Sequence, residues 1–196
     1  MSRANPLEAD WEIEIGGESP VIDAGWSGFV DLRVAPEKAC RLPEVLQLPE
    51  LGAALARLNA VSSPYFTAKC DVWRLESIDP LEFDADFEST GSALACYLDL
   101  LPCDPLSWTE TAGPTAWCKL LCVNLRASGL RCSRADLILR SATGNTGQSV
   151  YGVTAYVAAC GSTEEAAKTQ LVAALAVFVD AVESVGSRDV EGSKLQ

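Results

Sequence analysis

Charged and aromatic side chains recur at every second position along three segments of the chain, and mainly apolar residues occupy the positions between them. A period of two places such residues on one face of a β-sheet. We therefore predict that seven side chains share the open face of a sheet. These side chains are Lys69, Asp71, Trp73, Tyr97, Asp99, Arg134 and Asp136.

Such a face has three interpretations. Its carboxylates, Asp71, Asp99 and Asp136, could bind a ligand or transfer a proton if the protein is an enzyme. Its Trp and Tyr side chains favour an interface, because they bury a large apolar area and keep a polar group. The third interpretation is an ordinary solvated face with ion pairs between neighbouring strands.

The sequence contains no histidine, and this absence narrows the possible reactions. A single chain therefore cannot form a Ser–His or Cys–His nucleophile pair or a histidine-ligated metal site. Catalysis would have to use carboxylates, a cysteine thiolate or a tyrosine, so the question of enzyme activity stays open. The glycine-rich loops that bind phosphates or dinucleotides are also missing, and no cofactor is predicted.

An acidic segment offers a weak candidate for a cation site. Asp84, Asp86 and Glu88 have the spacing of the first ligands in a calcium-binding EF-hand loop. Such a loop needs glycine at its sixth position and a carboxylate at its twelfth, where this chain has Ser89 and Ala95. We therefore predict solvated loop charge, with a cation site as the alternative.

Eight cysteines are distributed along the chain, and no secretory signal is recognisable at the N-terminus. Disulfides are therefore not expected. Cys118 and Cys122 lie one helical turn apart, and together with Cys132 they would offer three ligands, whereas structural zinc sites have four. No metal site is predicted, and these cysteines are expected to pack in the core as small apolar side chains.

The acidic charge is concentrated in the first part of the chain. Residues 1–110 contain 20 acidic and 7 basic side chains, and residues 111–196 contain 7 and 8, which gives the net charge of −12. An acidic surface repels phosphate backbones, so nucleic-acid binding is not expected. No uninterrupted apolar run has the length of a membrane span. We expect a cytoplasmic protein that does not bind membranes.

The periodicities predict the element order β-β-α-β-β-α-β-β-α. Strands are predicted near residues 11–15, 26–34, 65–75, 92–101, 134–140 and 150–160, and helices near 50–58, 114–128 and 164–185. This order predicts an α+β fold with a mostly antiparallel sheet of about six strands and three helices. A ferredoxin-like β-α-β-β-α-β core would be extended by an N-terminal strand and a C-terminal strand and helix.

The predicted domain organisation is simple. Residues 1–10 are expected to be a flexible N-terminus, residues 11–185 a single α+β domain, and residues 186–196 a polar tail.

Two hypotheses for function follow from these features. In the first, the protein is non-catalytic, and its open sheet face mediates homodimer formation or binding of another protein. In the second, it is an enzyme or a small-molecule-binding protein with a pocket between the sheet face and loops 76–91 and 102–113. Long loops are where such a site is expected, and carboxylates would do the chemistry in place of histidine.

Overall fold

The computed structural model describes residues 7–83, 85, 86, 90–144 and 146–192. They form an α+β fold around an open, mixed and mostly antiparallel sheet of six strands, which confirms the predicted fold class. The strands are β1 (Glu8–Glu14), β2 (Ile22–Asp23), β3 (Tyr65–Arg74), β4 (Ser92–Pro102), β5 (Ser133–Thr143) and β6 (Ser149–Gly161). Their order is β1-β5-β6-β4-β3, and β2 pairs with β5 beyond the end of β1.

Three main helices contribute to the principal core, which confirms the predicted number. The helices are α1 (Pro43–Gln47), which is short, and the main helices α2 (Pro49–Leu58), α3 (Ala112–Ala127) and α4 (Glu164–Gly192). Pro49 suits the first turn of α2, because the N–H that proline lacks would have no helical partner there. Leu55 of α2, Leu121 of α3 and Phe178 of α4 belong to one core with residues of β4, β5 and β6.

The helix α4 is long and apolar enough between Glu164 and Gly186 to cross a membrane, by length and composition alone. Half of the residues in its most apolar 18-residue stretch are buried inside the domain. Leu171 and Val182 are among its core residues, and the helix packs on β6 and β4. A central core helix needs the same composition, and that is the role α4 has in this fold.

The prediction of a strand from Trp26 to Val34 is wrong. These residues form turns, and Gly28 has a φ of 118°, a conformation that extended strands do not use. Apolar residues recur here because the segment packs Phe29 against an apolar cluster that includes Phe66. The ferredoxin-like core is not confirmed, because its first predicted strand is missing and β6 lies between β5 and β4.

Regular structure reaches past both predicted domain bounds. The strand β1 begins at Glu8, within the segment expected to be flexible, and α4 continues to Gly192. The alternation that predicts a strand from residue 11 extends back to Glu8, which pairs with Arg134.

The sheet face opposite the helices is covered at both ends. At one end, β2 and the segment after it pack on the sheet through Ile22, Ala24 and Phe29. At the other end, Phe83 of loop 76–91 is buried against Ala93 and neighbouring residues. Between these two covers, the middle of the face remains accessible, and this middle part carries the candidate site.

Candidate functional site

The register of five strands arranges side chains in rows across the middle of the open face. One row contains Asp10, Asp136, Tyr156, Tyr97 and Asp71, in order from β1 to β3. The next row towards the β2 end contains Glu12, Ile138, Thr154, Asp99 and Lys69. The row on the other side contains Glu8, Arg134, Ala158, Ala95 and Trp73. We call these three rows the central band, and all seven side chains singled out in the sequence lie in it.

Three aromatic rings form a cluster in the central band. The ring centroid of Trp73 lies 6.2 Å from that of Tyr97 and 6.3 Å from that of Tyr156, and the two tyrosine rings are 5.9 Å apart. The small side chains of Ala95 and Ala158 share the row of Trp73 and leave room for its indole to reach Tyr156. All three rings are partly exposed, so the cluster presents a preorganised apolar surface.

Tyr156 was not among the seven predicted site residues, although a signal for it exists. Thr154 and Tyr156 alternate with apolar residues along β6 in the same way as the predicted residues of β4. What the alternation does not show is that Tyr156 lies directly opposite both Tyr97 and Asp136, because this depends on strand order and register.

The basic side chains of this face, Arg134 and Lys69, contact carboxylates or an aromatic ring. Arg134 lies 2.6 Å from a carboxylate oxygen of Asp136 and 3.5 Å from one of Glu82. The ammonium of Lys69 lies 5.3 Å from the ring centroid of Trp26. Among the described residues, no salt bridge involves the carboxylates of the central band at Asp10, Glu12 and Asp71. The unbalanced charge of the face is therefore negative.

Asp99 is a buried carboxyl group with 7% of its surface exposed. Its Oδ1 accepts a hydrogen bond of 2.6 Å from the hydroxyl of Thr154, which in turn accepts one of 3.2 Å from Nη1 of Arg140. Nε and Nη2 of Arg140 both donate to Oε2 of Glu14, at 3.0 and 2.7 Å. Burial raises the pKa of Asp99, and the hydrogen bond from Thr154 and the charges of Arg140 and Lys69 oppose part of this rise.

This raised pKa predicts a pH-dependent effect of Asp99→Asn. Because the pKa of Asp99 is raised from 3.8, its contribution to stability is present below that value and is lost as the pH rises through the folded-state pKa. The Asn variant does not undergo this loss, so its free energy of unfolding should improve relative to the parent as the pH rises from about 4 towards neutrality. Urea unfolding across this range tests the prediction.

Thr154→Val is the matched comparison for this experiment. It removes the hydroxyl that stabilises the ionised carboxylate, so the loss of stability with rising pH should become larger than in the parent. A parent-like pH dependence in the Asp99→Asn variant would show that Asp99 does not carry the effect.

A cleft of about 510 Å³ adjoins the central band beside β3. Residues 67–71 of β3 line it, together with the turn segment around Trp26 and the residues Leu42, Pro43 and Glu44 at the start of α1. The cleft meets the central band at Lys69, Asp71 and Tyr97, which belong to both. Burial raises the pKa of Tyr97 to about 12, with Asp99 and Asp71 adding to the rise, so its hydroxyl keeps its proton at neutral pH.

This cleft does not lie where the second hypothesis expected a pocket. Loops 76–91 and 102–113 contribute none of its lining residues. Trp108 of the second loop is buried in the principal core, 5.4 Å from both Tyr65 and Trp117 between ring centroids. In the described part of the chain, the two loops therefore lie on different sides of the sheet.

Some of the other side chains considered as metal ligands lie within the described residues, and some lie outside them. Asp84 and Glu88 lie outside the described residues, and Asp86 is exposed. Cys118 and Cys122 are buried in the core on α3, and Cys132 packs against the cluster around Phe83. Within the described ranges, no group of three or more Cys, Asp or Glu side chains is placed to hold a metal ion.

The chain was compared with protein-family models, with curated proteins and with solved structures. None of these comparisons found a match, so the arrangement of the central band and the cleft carries the functional argument alone.

Proposed function

We propose that the protein is a non-catalytic binding domain, and that the central band binds a basic segment of another protein. The observation that carries this proposal is the cluster of three partly exposed aromatic rings, Trp73, Tyr97 and Tyr156, with carboxylates at both ends of the row that contains the two tyrosines. Buried cores of protein interfaces are enriched in such side chains, and a few of them supply most of the binding energy.

The charges favour a basic partner over a second copy of the chain. Asp10, Glu12 and Asp71 lie on the face without a salt bridge among the described residues, and the whole chain carries a net charge of −12. Two such faces brought together would place like charges opposite one another. An Arg or Lys side chain would instead pair with the carboxylates and pack on the aromatic rings.

The β3 edge of the sheet is less suited to partner binding than the sheet face. The strand β3 is an edge strand, but Nε1 of Trp26 donates to the carbonyl of Ala68 at 3.2 Å. The N–H of Thr67 donates to Asn59, and the N–H of Val72 donates to the Asp71 carboxylate. These side chains, with a register shift after Thr67, obstruct the pairing of another strand.

The state of four of the eight thiols supports a non-catalytic role. Burial raises the pKa of Cys70, Cys96 and Cys118 to about 12 and that of Cys122 to about 11. Nucleophilic cysteines need a lowered pKa, because the thiolate is the reactive form. The carboxyl group of Asp99 accepts a hydrogen bond from Thr154 and is almost completely buried.

Trp73→Asp tests the proposal with a defined probe. A panel of synthetic peptides, each with two Arg or Lys residues next to an aromatic residue, is titrated against the protein by calorimetry. The variant should weaken binding about 30-fold, because loss of a central aromatic anchor costs about 2 kcal/mol. Val61→Asp is the matched control, because it adds the same charge at a fully exposed position away from the face.

Two results would contradict the proposal. If no peptide of the panel binds, or if Trp73→Asp and the parent bind equally well, the central band is not a site for basic segments. Sedimentation of the same samples shows self-association directly. A dimer that the Trp73→Asp variant loses would assign the face to a second copy of the chain instead.

A further inference from the structure

The cleft beside β3 has the size and lining of a small-molecule site. Its volume of about 510 Å³ lies within the range of about 300–1,000 Å³ that is common for ligand pockets. Apolar side chains from three parts of the chain line it, including Val30, Leu42 and Leu55. Leu55 belongs to α2, so a rigid helix and an edge strand define the cleft together.

Carboxylates give the cleft a negative potential. Glu44 and Asp71 both line it, and no salt bridge among the described residues neutralises either one. The thiol of Cys70 also lines the cleft, and this potential contributes to a change in its pKa. Burial raises the pKa of Cys70 to about 12, and the charges of Glu44, Asp71 and Asp99 contribute to the rise.

Trp26 provides an aromatic wall that is held in place. Its indole N–H donates to the Ala68 carbonyl at 3.2 Å, which fixes the ring beside the strand. The ammonium of Lys69 lies 5.3 Å from the centroid of this ring, which shows that a cation is accommodated at its face. Two carboxylates and one ammonium leave the cleft with one unbalanced negative charge.

We propose that this cleft binds a small organic cation, an ammonium or guanidinium group attached to an apolar body. The apolar body would pack against Val30, Leu42 and Leu55, and the cation would pair with Glu44 and Asp71 beside the aromatic ring of Trp26. This site is separate from the proposed protein-binding role of the central band, although the two share Lys69, Asp71 and Tyr97 at their border.

Three probes with one apolar body test the proposal: 4-phenylbutylamine, 4-phenylbutanol and 4-phenylbutyrate. Calorimetry should show the amine binding about tenfold more tightly than the alcohol, with the carboxylate weakest, because only the charge differs. Quenching of tryptophan fluorescence by the amine, lost in Trp26→Phe, would locate binding in the cleft. Equal affinities for the amine and the alcohol, or no binding of the amine below about 1 mM, would overturn the proposal.

Glu44→Gln is the diagnostic variant. It keeps the size of the side chain and should reduce the preference for the amine over the alcohol about threefold or more. Glu50→Gln is the matched control, because Glu50 is exposed near the start of α2 and does not line the cleft. Glu44 lies outside the central band, so Glu44→Gln should leave binding of the basic peptides unchanged, and failure of this proposal is distinguishable from failure of the protein-binding proposal. If Glu44→Gln and the parent prefer the amine over the alcohol equally, Glu44 is not the carboxylate that pairs with the cation.

Discussion

Trp117→Ala is expected to lower the free energy of unfolding by about 3–5 kcal/mol, the range for removal of a buried large aromatic side chain. Trp117 is 3% exposed, and its ring centroid lies 5.4 Å from those of Tyr65 and Trp108. These contacts join α3 to β3 and to the loop that follows β4. Urea unfolding monitored by circular dichroism measures the loss.

Trp117→Phe is the control that separates packing from hydrogen bonding. In the described part of the chain, Nε1 of Trp117 is buried without a hydrogen-bond partner. Phenylalanine keeps an aromatic ring and removes this unsatisfied group, which offsets part of the lost contact area. We expect the Phe variant to lose much less stability than the Ala variant. Similar losses in both would show that the indole N–H is satisfied.

Arg140→Met is expected to destabilise the protein by about 2–3 kcal/mol, because it removes charged hydrogen bonds from a largely buried network. The side chain of Arg140 is 12% exposed, and it links Glu14 to Thr154, which donates to Asp99. Without the guanidinium, the buried carboxylate loses a nearby positive charge. Chemical unfolding near neutral pH provides the measurement.

The double variant Arg140→Met/Asp99→Asn tests this explanation. Asparagine keeps an oxygen that can accept from Thr154 but carries no charge, so the second substitution should recover part of the loss. Arg57→Met is the comparison at the surface. Arg57 lies 2.7 Å from Asp180 and 2.6 Å from Glu183, but it is 42% exposed, and its loss should cost less than about 1 kcal/mol. Simple additivity of the two changes at 140 and 99 would refute the coupling.

Much of the fold was predictable from the sequence, because side-chain alternation is a local property of extended backbone. Along β3, β4 and β5 it correctly places Trp73, Tyr97 and Arg134 on one face, before any strand order is known. The helices were predictable for a similar reason, since their apolar residues recur at the helical period. The seven predicted side chains share the central band, and their part in binding stays a prediction.

The same local rule fails where contacts with distant residues decide the conformation. The segment from Trp26 to Val34 alternates like a strand, but it covers one end of the sheet as a series of turns. Its apolar residues pack on the sheet face, and among the described residues no strand pairs with this range.

What the sequence specifies and what the tertiary structure decides differ because the interactions involved differ in their range along the chain. The residues of the chain specify the face on which the side chains of each strand lie, the absence of imidazole chemistry, and the excess of negative charge in residues 1–110. Strand order and register bring Tyr156 beside Tyr97, link Asp99 to Arg140 through Thr154, and set Glu44 beside β3 to form the cleft. Such neighbours arise from hydrogen bonds and packing between segments far apart in the chain, for which a local pattern carries no information.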